Sequence, residues 1–195
     1  MAGRTVAKPH LDAIARLVLD LPGGSFALVM ATGIVSIAAD LLGLHSLAAI
    51  LLAINLFAFP ALSAVLLLRL AQRPSSFLVE LRDGGRGPGL LTIVAGTSVF
   101  GDQIRLLTSH QNVAAGLWLG AFAIWVCLIY CLFAAVTLRP TKGPGAGGFD
   151  GNWLLTVVAT QSLAVLGTEV KNTFPAPEAV AFTSLSLFLV GGVFT

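Results

Sequence analysis

Five hydroxyl side chains, Thr32, Ser36, Thr97, Thr156 and Thr160, stand inside long apolar runs, with no lysine or arginine among them. Hydroxyls in such a setting offer hydrogen-bond donors, and residues four apart on a helix share one face. The alternative is that each bonds back to a carbonyl of its own helix. Asp40 is the clearest acid near the end of an apolar run. An acid within a membrane is a candidate proton or ion site, whereas one lying a turn from a connection is simply solvated. Phe100 is a bulky side chain among small neighbours and reads as a constriction or as an aromatic packed between helices. Cys127 and Cys131 share a helix face with no histidine nearby and read as reduced apolar side chains rather than metal ligands. The three histidines are scattered. Nucleophile–base pairings, phosphate loops and paired carboxylates are absent from the sequence, so an enzyme, a metal site and a cofactor are not expected.

The elements that hold these residues are set by composition. Of 195 residues, 56% are hydrophobic and 10% charged, and the mean hydropathy is +0.93. A soluble domain carries about 25% charged residues, so a water-exposed globule is excluded and an all-α integral membrane protein remains. Two cysteines exclude a disulfide scaffold, and a net charge of +2 gives no reason to expect nucleic acid. A crossing helix needs about 20 mainly apolar residues. Six spans are predicted, at 26–44, 47–68, 90–107, 114–138, 153–168 and from 178 to 195. Asp102, Gln103 and Arg105 are expected to mark the interfacial end of the third. Residues 1–25 form a tail in which Leu11, Ile14, Leu17, Val18 and Leu21 fit a surface helix. Asn55 and Pro60 suggest packing and a kink in the second span.

Nine of the eleven basic residues fall in the tail and the two long connections, which places the N-terminus in the cytoplasm; the expected location is the cell's inner membrane. The long connections alternate with tight turns, so the unit is a helical hairpin. A repeat supports this unit. Val29-Met30-Ala31-Thr32-Gly33, Ile93-Val94-Ala95-Gly96-Thr97 and Val157-Val158-Ala159-Thr160-Gln161 recur at a spacing of 64 residues. The implied repeats are 26–89, 90–152 and a shortened 153–195. In that register one stripe runs through Leu28, Thr32, Ser36 and Asp40, then Thr92, Gly96, Phe100 and Ile104, then Thr156, Thr160, Ala164 and Thr168. Counting the third span as 90–104, glycine, serine and threonine make up 14 of 50 residues in the odd spans against 4 of 47 in spans two and four, so the odd spans are expected inside and spans two and four toward lipid; the sixth does not follow this contrast cleanly. Close helix packing through small residues explains the same bias. Three equivalent helices with one weakly polar face suggest a shared axis and a conduit.

The stretches FALVMATGIVSIAADLLG at 26–43 and NWLLTVVATQSLAVLG at 152–167, with the connection ELRDGGRGPG at 80–89, resemble the tellurite-resistance/dicarboxylate transporter family, part of the slow-anion-channel superfamily. The resemblance implies ten spans in five hairpins around a pore lined by odd helices, a phenylalanine plug on the ninth span, and trimers. It implies transport of a small anion across a lipid bilayer, either a four-carbon dicarboxylate or an oxyanion such as tellurite or sulfite. Five repeats of 64 residues need about 320, so this chain reads as a partial version of that pore, without the span that carries the plug. The alternative is a non-transporting truncated protein or an assembly subunit. In the implied pore, the lining candidates are Thr32, Ser36, Gly96, Thr97, Phe100, Thr156, Thr160 and Gln161, with Asp40 as a proton or ion site. Gln161 would contact a carboxylate or bridge helices.

Overall fold

A computed structural model of the chain describes residues 23–82, 86–137 and 151–193. The predicted surface helix of the tail and the connection holding Arg139 and Lys142 lie outside the described residues. Seven α-helices are described: α1 (Ala27–Leu41), α2 (His45–Gln72), α3 (Pro74–Arg82), α4 (Thr92–Thr108), α5 (Gln111–Thr137), α6 (Leu154–Val170) and α7 (Pro177–Val193). No strand occurs among the described residues, in agreement with an all-α membrane protein. Segments Gly23–Leu41, His45–Gln72, Gly87–Thr108 and Gln111–Ala135 are long and apolar enough to cross a bilayer. Helices α6 and α7 have 17 residues each, a rise of about 25 Å, at the short end of the spanning range.

Local chemistry explains the boundaries. Helix α1 stops at Gly43, whose φ of 78° is the left-handed conformation that glycine adopts without steric cost. The amides of Leu42, Gly43 and Leu44 close on the carbonyls of Ala38, Asp40 and Ala39. Helix α4 ends on Ser109, also left-handed at φ 59°. Helix α2 continues on both sides of Pro60. Pro74 then opens α3 at a position where its missing N–H costs nothing. A short 3₁₀ turn leads into each of α1, α4 and α6, at Gly23–Phe26, Gly87–Leu91 and Gly151–Trp153. The first glycines of these turns are 64 residues apart, the spacing of the sequence repeat.

Helices α1, α4 and α6 lie side by side with α4 in the middle. Helices α2, α5 and α7 complete the three hairpins around them. Every residue of α4 from Thr92 to Ile104 is buried. Helix α2 buries little besides Ala48, Asn55 and Arg69; Leu62 and Leu66 pack against the core, whereas Leu47, Leu56, Leu67, Leu68 and Phe57 face outward. That surface would be costly in water and is ordinary where lipid is the solvent. The core joins Leu90, Leu91 and Val94 to Trp118 of α5 and to Leu163 and Leu166 of α6.

Two expectations change. Asp102, Gln103 and Arg105 do not form a solvated end: α4 runs on to Thr108, and Asp102 and Gln103 are 7% and 0% exposed. Their neighbours on α1, α2 and α6 cover them, which hydropathy along one helix does not reveal. The connection between the second and third spans contains a helix, α3, rather than only glycine and proline turns.

Candidate functional site

A groove of about 530 Å³ opens where the first helices of the three hairpins meet. Its walls are Ile34, Ile37, Ala38 and Leu41 of α1, Val99 and Asp102 of α4, and Val157, Val158, Gln161, Ser162 and Val165 of α6. The spacings 34–37–38–41 and 157–158–161–162–165 each mark one face of a helix. Most of the wall is aliphatic. The Ser162 hydroxyl donates to Val158 O at 2.8 Å, and Gln161 Nε2 donates to Phe188 O of α7 at 3.1 Å. The Asp102 Oδ1 is buried with no hydrogen-bond partner among the described residues. The groove therefore combines an apolar surface, an amide and a carboxyl.

Of the residues singled out from the sequence, Gln161 lines this groove. The hydroxyl stripe points elsewhere. On α1 it lies roughly opposite the groove-lining face, and on α4 and α6 roughly a third of a turn from it. Thr32 donates back to Leu28 O, Thr97 to Ile93 O and Thr160 to Thr156 O. Thr160 also accepts the indole N–H of Trp125 at 2.9 Å, which turns its oxygen toward α5. The Thr156 hydroxyl is buried and unpaired among the described residues. Ser36 donates across the first hairpin to Ala48 O at 2.8 Å. Gly96 lies against Phe26, so a Cβ there would sit 3.0 Å from the Phe26 carbonyl oxygen. Phe100 stacks on Phe59 of α2 with ring centroids 4.5 Å apart. Asp40 Oδ1 lies 2.8 Å from His45 Nδ1 at the exposed tip of the hairpin.

Two buried polar assemblies have partners that the sequence reading did not identify. Asn55 Nδ2 donates to Val29 O at 3.0 Å and to Gln103 Oε1 at 2.9 Å, joining α2 to α1 and α4. The lone polar residue in an apolar run was a signal for packing, but its partners lie 26 and 48 residues away. At the other end of the bundle, Arg69 of α2 is ion-paired with Glu80 of α3. Glu80 also accepts the backbone N–H of Gly23 at 2.9 Å. The Thr92 hydroxyl reaches Gly23 O at 3.0 Å and Gly89 O at 2.8 Å. These contacts tie the first two 3₁₀ turns together where the inner helices begin.

Among families of known proteins, the one described as voltage-dependent anion channel matches residues 20–195. No curated protein and no solved structure matches the chain.

Proposed function

Because this chain belongs to the voltage-dependent anion channel family, a family of membrane channels and transporters for small anions, we propose that its anion route runs along the groove between α1, α4 and α6. The observation that carries this reading is the convergence there of the first helix of each hairpin. The aliphatic walls suit passage without trapping, since a fixed cation in the lining would hold its anion. Gln161 supplies amide chemistry at the groove. The hydroxyls of Thr32, Ser36, Thr97, Thr156 and Thr160 serve helix packing in this reading, as do Gly96 and Phe100. Asp40 is a hairpin-tip acid paired with His45. The three 3₁₀ turns at 64-residue intervals support a division into hairpin units at 26–89, 90–152 and 153–195.

The proposed substrate is a four-carbon dicarboxylate or a tellurite- or sulfite-type oxyanion. The proposed setting is the inner membrane, with the N-terminus cytoplasmic and the protein a homotrimer. The test is uptake of labelled succinate and of tellurite into proteoliposomes carrying the full chain. Uptake above that of empty vesicles, reduced several-fold by Val158→Trp in the groove and unchanged by Phe100→Ala, is expected. Uptake equal to that of empty vesicles overturns the reading in favour of a non-transporting membrane protein.

A further inference from the structure

An anion route with an acid in its wall poses a chemical problem, because an ionised carboxylate repels the solute. Asp102 is such an acid. It is 7% exposed and lines the groove. Its Oδ1 has no hydrogen-bond partner among the described residues. Six residues of helix, about 9 Å of rise, separate it from the end of α4 at Thr108. Among the described residues, the elements around α4 bring it no counter-ion of its own. On α1, Asp40 is engaged with His45 at the start of α2. The remaining base of α2, Arg69, is paired with Glu80 at the opposite end of the bundle. From α6, Glu169 acts on Asp102 as a like charge, and it lies 3.9 Å from Arg105 of α4. Helix α5 carries no aspartate, glutamate, lysine, arginine or histidine; its titratable groups are Cys127, Tyr130 and Cys131.

We propose that Asp102 is the residue at which a proton accompanies the anion through the groove. A neutral carboxyl offers an O–H donor to an anion and removes the like charge. Loss of the same proton restores the carboxylate and drives the anion out. The proton comes from water on the side of entry and leaves to water on the side of exit, and no covalent bond to the solute forms. This assigns to Asp102 the coupling role that the sequence alone suggested for Asp40, and it rests on the groove being the anion route.

The experiment uses the full chain and succinate as the probe. Binding is read first, as proton uptake from weakly buffered detergent solution when succinate is added, over a pH series that extends to where Asp102 is ionised in the free protein. Transport is read second, in vesicles with a trapped pH-sensitive dye. Wild type takes up protons with succinate in both. Asp102→Asn binds succinate with at least a tenfold smaller proton uptake, and its succinate flux loses its dependence on a pH gradient. Asp102→Glu keeps the coupling with a displaced pH profile, which also decides the matter should the asparagine variant fail to fold. Undiminished proton uptake in Asp102→Asn, an unaltered pH profile in Asp102→Glu, or succinate binding to wild type without proton uptake overturns the assignment. Proton-linked binding without any flux would instead overturn the transport reading and leave Asp102 as a proton site.

Discussion

Asn55 shows how one side chain holds three helices. Its amide N–H groups serve a carbonyl of α1 and the side chain of Gln103 on α4. Cross-helix hydrogen bonds in membranes average about 0.6 kcal/mol each, while an orphaned buried group costs about 1–3 kcal/mol. Asn55→Leu is therefore expected to destabilise by about 1–3 kcal/mol, read as a lower unfolding midpoint in mixed micelles. Phe100 belongs to the same scale: its stacking on Phe59 gives Phe100→Ala a cost in stability rather than in flux. The hydroxyls were visible in the sequence as a stripe, but their direction was not. A repeat fixes which positions are equivalent and leaves open which way the common face turns. Trp125 decided this for Thr160 by donating to it from α5, a contact 35 residues away in the chain.

At the scale of elements, helix α3 owes its position to Glu80. A nine-residue helix has little stability of its own. The ion pair with Arg69 and the bond from the Gly23 amide fasten it to the ends of α2 and α1. Breaking a buried ion pair by removing one partner typically costs about 3–5 kcal/mol. Glu80→Ala is expected to release α3, and limited trypsin digestion should then cut after Arg86, just beyond it, several-fold faster than in wild type; an unchanged rate would mean that other contacts hold it. Hairpins were legible in the sequence because hydropathy and loop length report them directly. Helix α3 was not, because its pattern is short and its anchor is a partner across the fold. Gly167 is a further joint. A Cβ there would come within 2.7 Å of the Trp118 indole nitrogen and 2.2 Å of Ser184 Oγ. Gly167→Val should therefore loosen α5 and α7 from α6 and lower the unfolding midpoint.

For the whole molecule, the arrangement of inner and outer helices makes the groove and the lipid face chemically distinguishable. In a background with Cys127 and Cys131 replaced by alanine, cysteines at Ile37 and Val158 should react with a water-soluble maleimide in intact vesicles. A cysteine at Phe57, on the outward face of α2, should not. Equal labelling at all three positions would remove the aqueous groove. The burial of α4 was foreseeable from its share of glycine, serine and threonine, whereas α1, also from an odd span, keeps Leu28, Ile34, Val35 and Leu41 exposed. The burial of Asp102 was not foreseeable, because a polar residue near the end of an apolar run looks solvated until the helices that cover it are in place.

The turn between α1 and α2 carries a consequence for biosynthesis. Only Leu42, Gly43 and Leu44 separate the two helices, and the adjacent acid and imidazole, Asp40 and His45, lie against each other. A nascent chain that enters the bilayer as this closed pair carries three uncharged residues through the hydrocarbon, together with two polar groups that satisfy one another. The first hairpin is thus expected to enter the membrane as one unit, with Asp40 and His45 paired at its tip.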